Sequence, residues 1–499
     1  MITRRAFLSA AALGTVAGAG AACSGESGSP RPATTSSPSA PPSSASKPVP
    51  PNWPALRKKL RGGLVLPGDN GFAAATRVYN PLFDSRRPAA VARCSRPEDV
   101  QACVEVAAAA RMPIAARSGG HSYAGYSNQD QALIVDLSPM STVDVDGDSA
   151  VVGAGTRLID VYAGLDAAGR CLPAGSCPSV GIAGLTLGGG IGVLARKHGL
   201  TCDRLVSARV VTADGRLVTA SAESEPDLFW ALRGGGGGNF GIVTSFTFNV
   251  PAAPELTVFS LRFDGAAADV VGAWQAWVAD LPDELWTNCV VSAGSPPSVR
   301  VGGCFVGSTG DCEAQLARLG LAASSRFVTG KSYLDAMRYF AGCSERSVEQ
   351  CHPASAGGSL GRESFVASSR ILARPVGDPA ALVSLLDGRS GVDLLLDSLG
   401  GAVSAVAPDA TAFPHRTAVA SAQIYASTGA GRQAATRQVA EIRDGLGKLT
   451  GALGYVNYID PAMPDWADAY YGPNLPRLRE VAARYDPDAV FTFPQGLAP

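Results

Sequence analysis

The chain has almost no net charge. Its 499 residues include 42 basic and 43 acidic side chains, and its formal charge at pH 7 is -1 with histidine neutral. Such a balance provides no long-range positive field that would attract nucleic acid or an anionic membrane surface. Nucleic acid is therefore excluded as an expected partner.

Long hydrophobic runs are also missing. The apolar run near the N-terminus covers residues 10–22, only 13 positions, and consists mainly of alanine and glycine. Crossing the hydrocarbon core of a membrane takes about 20 predominantly apolar residues. This run therefore predicts part of an export signal and not a transmembrane helix.

Histidine is scarce, with four in the whole chain. Three of them, His198, His352 and His415, show no metal-ligand spacing with cysteines or carboxylates. We therefore predict no metal site. The chain also shows no internal repeat, which argues against a solenoid or a propeller.

The first 23 residues carry an export pattern. Arg4 and Arg5 lie in the twin-arginine sequence TRRAFL, directly before the apolar run. Residues 20–23, Gly-Ala-Ala-Cys, resemble a lipoprotein cleavage site, although leucine usually stands three positions before the cysteine. Two outcomes stay open: Cys23 is lipidated and anchors the protein on the outer face of the cytoplasmic membrane, or cleavage nearby releases a secreted protein.

The region after the signal is polar and rich in serine, proline and threonine. Residues 24–52 have almost nothing apolar to bury, which predicts a disordered tether, so that the folded part begins near Trp53. Twin-arginine export carries folded proteins, often with a cofactor already bound, so we expect a bound cofactor. Export also permits disulfides, and Cys343 and Cys351, which flank a polar loop, are the expected pair.

The length and the 46% hydrophobic content predict two or three domains. In the first part, Ser95 to Glu98 form a capping box with a proline, which predicts a helix over 96–111. Thr156 is predicted to cap a helix that ends at Gly169. Strands are predicted at Met112–Ala116, Leu133–Leu137, Ala150–Val152 and Ile242–Val250.

The pattern changes near Pro251. Strand-like runs such as Leu256–Phe263 and Val299–Val306 then alternate with amphipathic stretches such as Glu313–Leu319. This alternation predicts a separate α+β domain that would bind substrate.

Three glycine-rich loops lie in the first part, at residues 117–122, 175–192 and 234–241. Bare backbone N–H groups in such loops can converge on a pyrophosphate. The second loop has seven glycines in 18 residues, which argues against an ordinary helix and indicates backbone close to a ligand. Gly190, Gly192 and Ala195 fit the GxGxxA pattern, but no clean buried strand precedes them, so we reject a Rossmann site.

The chain after Trp53 resembles the p-cresol methylhydroxylase and vanillyl-alcohol oxidase superfamily, and more closely its berberine bridge enzyme-like branch. Three motifs in order carry the resemblance: RSGGHS at 117–122, GSCPSVG at 175–181 and YVNY at 455–458. The resemblance implies an α+β fold in which a two-part FAD-binding domain, residues 53–251 with the C-terminal segment 451–499, holds an inserted α+β substrate domain at residues 252–450.

The resemblance also implies FAD attached by two covalent bonds. In the family the histidine of the first motif bonds to the flavin 8α-methyl and the cysteine of the second to ring carbon 6, which correspond here to His121 and Cys177. An imidazole nitrogen and a thiolate are nucleophiles able to add to the electron-poor ring. The alternatives without a flavin are that His121 is a loop histidine hydrogen-bonded to backbone and that Cys177 is buried or forms a disulfide. The positions that match the cofactor site are Arg117, Ser118, Gly119, Gly120, His121, Ser122, Cys177, Val180, Gly181, Gly184, Gly241 and Asn457.

The catalytic residues are implied less directly. In the family the asparagine that matches Asn457 meets the flavin, and nearby aromatic side chains face the substrate. We take Tyr458 as the first candidate for the base that removes the hydroxyl proton, and Tyr455, Tyr425 and Gln423 as weaker candidates that could instead simply pack a strand face. Some family members use a glutamate, which the sequence does not locate here.

The resulting hypothesis is an exported FAD-dependent oxidase that converts an alcohol of a sugar, a phenolic compound or a secondary metabolite to a carbonyl. Val180 occupies a position where a small branched side chain in the family admits oxygen, which implies O2 as the electron acceptor and H2O2 as its product. An exported solute-binding lipoprotein is the alternative. A hydrolase is a third reading, because Gly357–Gly361 fits Gly-x-Ser-x-Gly, but no buried strand precedes it.

Overall fold

A computed structural model describes residues 48–498, which form three β-sheets with helices packed around them. The predicted export signal, the lipidation alternative at Cys23 and most of the predicted tether lie outside these residues. Within the described range, no helix is both long enough and apolar enough to cross a membrane.

Sixteen strands make up the three sheets of the described chain. The first sheet has the spatial order Leu64–Val65, Ala90–Arg93, Leu133–Asp136 and Ile114–Arg117. The second has the order Val143–Asp146, Ser149–Gly153, Ile242–Asn249, Leu205–Val211 and Leu217–Ser221. The third has the order Ser325–Lys331, Leu256–Phe263, Ser298–Val306, Leu285–Ser292, Val392–Ser398, Ala420–Ser427 and Phe365–Leu372.

The described chain contains fourteen α-helices. They are Trp53–Lys59, Phe72–Ala75, Pro97–Ala110, Leu158–Ala167, Ile182–Leu187, Ala195–His198, Pro226–Ala231, Ala267–Ala279, Thr309–Ala317, Tyr333–Phe340, Pro379–Ser384, Arg432–Thr450, Trp466–Tyr471 and Leu475–Tyr485. The mixture of helices with largely antiparallel sheets confirms the predicted α+β class. The exact domain boundaries stay predictions.

The seven-stranded sheet has two unlike faces, which is what positions the site. On one face Leu394 and Leu396 belong to an apolar cluster with the helices Ala267–Ala279 and Arg432–Thr450. Because side chains alternate along a strand, Leu395 and Asp397 point to the other face. That other face borders the cavities described below.

The first predicted helix forms, but its cap differs from the prediction. The backbone N–H and the hydroxyl of Ser95 both donate to a carboxylate oxygen of Asp99, at 2.9 and 3.2 Å. Asp99 is fully buried and also accepts from the backbone of Arg61. The capping carboxylate is therefore Asp99 and not Glu98, because Asp99 is the residue turned inward.

Two further local predictions need correction. The helix that follows Thr156 begins at Leu158, and the Thr156 hydroxyl donates to the carbonyl of Gly153 at 2.7 Å and so does not cap it. The second glycine-rich loop does contain a helix, Ile182–Leu187. Its apolar residues are buried against the core, and this packing outweighs the cost of about 1 kcal/mol for a glycine inside a helix.

The expected disulfide is present between Cys343 and Cys351. The pentapeptide Gly357–Gly361 follows a 3-10 turn, Ala354–Ala356, and no strand leads into it in the described chain. It therefore lacks the strand of a nucleophile elbow, and the hydrolase reading has no structural support.

Candidate functional site

Two adjoining cavities lie beside the sheets: strands of the first two sheets line the larger cavity, and strands of the seven-stranded sheet line the smaller one. Their volumes are about 270 Å³ and about 130 Å³. The residues that line both of them are Tyr123, Val180, Leu185, Asn457 and Tyr458. These shared residues form the boundary between the two cavities. We call the larger one the cofactor cavity and the smaller one the substrate cavity.

All three glycine-rich loops reach the cofactor cavity. The predicted cofactor residues that line it are Ser118, Gly119, Gly120, His121, Ser122, Val180, Gly181, Gly184, Gly241 and Asn457. The first loop follows the strand Ile114–Arg117, the second enters the helix Ile182–Leu187, and the third precedes the strand Ile242–Asn249. Element ends thus bring together segments that are far apart in the sequence.

Arg117 is placed differently from the prediction. It is not among the residues that line these two cavities. Its buried guanidinium donates to the carbonyl of Ala75 at 2.7 Å and pairs with Asp136 at 3.2 Å. Arg117 therefore holds the base of the first loop and does not contact the cavity itself.

The glycines of the first two loops are required for packing of one loop on the other. A Cβ at Gly119 would lie 2.3 Å from the backbone nitrogen of Gly181, and one at Gly181 would lie 2.0 Å from the Ser118 hydroxyl. Gly184 has no atom within 4 Å of the position that a Cβ would take. The sequence predicted that glycines in these loops leave their backbone open to a ligand, and of the three only Gly184 does so.

The residues of the cofactor cavity fit a flavin dinucleotide. Besides open backbone at Gly184, the lining includes Ser127, whose buried hydroxyl has no hydrogen-bond partner within residues 48–498. A buried hydroxyl without a partner is costly, and a bound polar ligand would satisfy it. Apolar residues such as Leu187 and Ile242 complete the wall on which a ring system would rest.

His121 and Cys177 face the same hydroxyl. The Nε2 atom of His121 lies 2.9 Å from the Oγ of Ser179, and the Sγ of Cys177 lies 3.7 Å from that Oγ. The imidazole also stacks on Tyr79, with ring centroids 3.9 Å apart. The two residues, 56 positions apart in the printed sequence, are thus brought together as the resemblance implies.

Cys177 differs from the other thiols in its exposure. Of the eight cysteines without a disulfide in the described chain, seven are buried and Cys177 alone is half-buried. It lines the substrate cavity. This placement argues against the reading of Cys177 as a buried apolar residue or a disulfide partner.

Tyr458 lies at the boundary of the two cavities and lines both. Its ring stacks on Tyr123 with centroids 5.5 Å apart and planes 8° apart, and it meets Tyr455 edge-on at 5.0 Å. The short 3-10 turn Val456–Tyr458 sets this orientation. Tyr458 is therefore the predicted candidate base that stands closest to both chambers.

Tyr455 has a different environment. Its buried hydroxyl accepts from the backbone N–H of Gly190 at 3.0 Å and from Nδ2 of Asn457 at 2.9 Å. Burial raises the pKa of Tyr455 to about 12, although these hydrogen bonds oppose the shift. A phenol with that pKa stays protonated near neutral pH, so Tyr455 positions Asn457 and is the weaker base candidate.

Asn457 is fixed from two sides. Its Nδ2 also donates to the carbonyl of Leu185, in the helix Ile182–Leu187, at 2.9 Å. A Cβ at Gly188 would lie 2.1 Å from the Asn457 side-chain oxygen. Gly188, which sequence reasoning did not single out, therefore makes room for the asparagine.

The remaining candidates lie behind the cavity wall. The Tyr425 hydroxyl donates to Glu363 at 2.7 Å and its ring stacks on Phe365 at 4.6 Å. Gln423 donates to the Tyr123 hydroxyl. Neither residue is part of the lining of the two cavities. Tyr425 and Gln423 therefore pack behind the cavity lining, which agrees with the alternative that these residues only pack a strand face.

The substrate cavity contains polar residues that sequence reasoning missed. Asn288, Arg300 and Asp397 face it from the seven-stranded sheet, opposite Tyr458. Asn288 and Asp397 are direct neighbours across two strands. One signal was present in the sequence: the strand VDLLLDS carries aspartates inside an otherwise apolar run, and a charge at such a position needs a polar partner or a cavity.

The cavities contain no arrangement typical of a metal site. Among the residues from 48 to 498, no three or more histidine, cysteine, aspartate or glutamate side chains are grouped so that they could hold a metal ion.

Comparison with known proteins identifies the class. The family model described as "FAD binding domain" matches residues 88–221, and the one described as "Berberine and berberine like" matches residues 454–498. The FAD-linked oxidoreductase YgaK of Bacillus subtilis is 34% identical over 460 residues, which cover 89% of this chain and 98% of that one. The fold and the site thus define an FAD-linked oxidoreductase.

Two further relatives narrow the assignment. The chitooligosaccharide oxidase of Gibberella zeae is 32% identical over 83% of this chain and 87% of its own. The solved structure of Physcomitrella patens BBE-like 1 matches with a TM-score of 0.83 at 29% identity, over 89% of this chain and 99% of that one. The chain belongs to the berberine bridge enzyme-like family, as the resemblance implied. Nothing in these comparisons supports a solute-binding lipoprotein.

Proposed function

We propose that the chain oxidises an alcohol group of a sugar, namely of an oligosaccharide, to a carbonyl. The observation that carries the proposal is a substrate cavity lined by Tyr458 together with the carboxylate of Asp397 and the amide of Asn288. Polar groups of this kind suit a substrate rich in hydroxyl groups. The chitooligosaccharide oxidase relative supports a sugar over the phenolic alternative.

The proton step is assigned to the chain's own residues. Tyr458 would accept the hydroxyl proton of the substrate, since it lines both cavities and so meets substrate and cofactor alike. Asp397 faces the same cavity, and a carboxylate there can take the proton on or replace Tyr458 as the base. When bound, FAD supplies the acceptor for the hydride that leaves the substrate carbon.

The residues proposed to hold the cofactor are His121 and Cys177, by covalent bonds to the flavin ring. Their shared contact with the Ser179 hydroxyl supports the pairing, because one group keeps both nucleophiles in place. Attachment at two points would fix the ring at the boundary of the cavities. We further propose O2 as the electron acceptor and H2O2 as the product, since Val180 lines both cavities.

An anaerobic titration tests the proposed function. The purified yellow protein is mixed with chitobiose, xylobiose or cellobiose without oxygen, and the flavin absorbance is followed. We expect at least one sugar to bleach the flavin, and readmission of air to restore it with release of one H2O2 per sugar. Unchanged absorbance with all sugars, but bleaching with a phenolic alcohol, would reassign the substrate.

Ser179 offers a test of the covalent attachment. In Ser179→Ala we expect apoprotein mixed with FAD to acquire covalent flavin about twofold to tenfold more slowly, the effect of losing one ordinary hydrogen bond. Intact mass spectrometry at timed intervals measures the attached fraction. Ser207→Ala, in the strand Leu205–Val211, is the control and should keep the normal rate. A normal rate in Ser179→Ala contradicts the positioning role.

Export is proposed to follow the twin-arginine route, with Cys23 either lipidated or removed. Replacing Arg4 and Arg5 together by lysine is expected to leave the precursor in the cytoplasm, because the machinery reads this pair. Immunoblots of cell fractions measure the distribution, and Arg31→Lys in the tether is the control. Normal export from cells that lack the twin-arginine machinery would indicate the general secretory route instead.

A further inference from the structure

A row of residues leads out of the substrate cavity across the seven-stranded sheet. Asp397 pairs with Asn288, and Asn288 pairs with Gly302 on the next strand. Gly302 pairs with Ser260, and Ser260 pairs with Phe327 on the edge strand. Residues paired directly across strands share one face of a sheet. The row therefore connects the cavity with the edge of the sheet on the cavity side.

This row becomes more exposed toward the edge of the sheet, since Gly302 is buried whereas Ser260 and Phe327 are not. Gly302 has no side chain, Ser260 is half-buried, and Phe327 is 45% exposed, one of the few large apolar side chains at the surface of the described chain. Four strand spacings of ~4.8 Å give a length of roughly 19 Å from Asp397 to Phe327. A substrate that used the whole row would have more than one sugar ring.

Aromatic side chains border the row. Trp286 and Phe340 line the cavity and meet edge-on at 5.9 Å. Phe340 contacts Tyr339, whose ring stacks on Phe327 at 5.6 Å. An apolar patch rimmed by polar groups at the mouth of a cavity is typical of a ligand groove. Phe327 and Tyr339 thus offer a surface on which a second ring can pack.

Two arginines lie next to each other beside this row. Arg300 lines the cavity, and Arg262 is its direct neighbour across the strands, on the exposed side. Like charges directly opposite each other destabilise a sheet. Burial lowers the pKa of Arg300, and the charge of Arg262 lowers it further.

The buried Arg300 and the exposed Arg262 differ in their surroundings. Tyr339 and, two strands further in, Asp393 favour the charged form of Arg300. Arg262 is exposed, and within residues 48–498 its guanidinium has no hydrogen bond or ion pair. An anion bound next to Arg262 would offset the repulsion that the pair creates.

We propose that the substrate is an oligosaccharide whose second ring carries a carboxylate, and that Arg262, beside Arg300, binds this carboxylate while Phe327 packs against the ring. The first ring occupies the substrate cavity, where its alcohol is oxidised. This inference rests on the proposed oxidation of sugars and adds to it the chemical class of the sugar.

A matched pair of disaccharides tests the proposal with the flavin-loaded enzyme. One is cellobiose, and the other has the same linkage but glucuronate as its non-reducing ring. We expect kcat/KM for the acidic sugar to exceed that for cellobiose about tenfold or more, because a hydrogen bond to a charged group has that effect. High salt should reduce this advantage, since part of the site is exposed.

The variant Arg262→Gln should remove the preference. We expect kcat/KM for the acidic sugar to fall about tenfold and that for cellobiose to change far less, at equal flavin content and Tm. The control Arg326→Gln changes a neighbouring arginine that pairs with Glu313 and is paired in the sheet with Leu261, so that it lies on the opposite face. This control should leave both values unchanged.

The outcomes separate this inference from the proposed function. Equal kcat/KM for the two disaccharides in the wild-type enzyme, or equal losses for both in Arg262→Gln, overturns the acidic subsite and leaves sugar oxidation standing. Failure of both disaccharides to reduce the flavin overturns the inference, and failure of chitobiose and xylobiose as well overturns the proposed function.

Discussion

Replacing Tyr458 by phenylalanine is expected to slow reduction of the flavin by substrate on the order of a hundredfold to ten-thousandfold, which is the usual contribution of a positioned general base. Reoxidation of the reduced flavin by oxygen should stay near its normal rate, because that reaction does not need the base. Phenylalanine keeps the ring that stacks on Tyr123 and removes only the hydroxyl. Rapid-mixing kinetics measure the two half-reactions separately.

Tyr425→Phe provides the matched control for this variant. Tyr425 loses a hydroxyl that donates to Glu363, outside the lining of the two cavities, so both half-reactions should be nearly unchanged. Flavin content must be equal in all three proteins. A normal rate of reduction in Tyr458→Phe would make Tyr458 a packing residue, and Asp397 would then be the better base, to be tested by Asp397→Asn.

The second large effect concerns the cofactor. The unmodified, flavin-loaded protein should keep its yellow colour through acid precipitation, and the double variant His121→Ala with Cys177→Ala should release all of it, because no covalent bond is left. Absorbance of the pellet and of the supernatant measures the bound fraction. Colour that leaves the unmodified protein on precipitation would refute covalent attachment altogether.

The two single variants make this prediction sharper. Each should keep flavin in the precipitate through the remaining bond, with lower activity because ring position and redox potential change. Since His121 and Cys177 both contact Ser179, each substitution also frees one side of that hydroxyl. If either single variant releases all of its flavin, attachment has only one covalent point.

Local patterns predicted local structure well. The helix Pro97–Ala110, the strand Leu256–Phe263 and the disulfide between Cys343 and Cys351 all form where the sequence placed them. One error arose where a nearby residue competed for the same role. Asp99 caps in place of Glu98 because it is the one turned into the core, and inward orientation depends on packing that spacing alone does not show.

The polar wall of the substrate cavity was not predictable in the same way. Asn288 and Asp397 lie more than a hundred positions apart in the sequence and become neighbours only because their two strands pair in one particular register. A slip of one of the two strands by one residue would turn its side chain to the other face and separate the pair. The sequence shows an aspartate in an apolar strand but not which face, or which partner, it meets.

The sequence by itself determined the family, the cofactor and the ordered motifs that hold His121, Cys177 and Tyr458, because each motif is a short segment whose residue types and spacing can be read without the fold. Only the tertiary structure decided that Ser179 joins the two nucleophiles and that Arg117 supports a loop. It also decided that Asp397 and Arg300 line the smaller of the two cavities. These roles depend on contacts between distant segments, and such contacts are fixed by strand order, register and burial rather than by any local pattern.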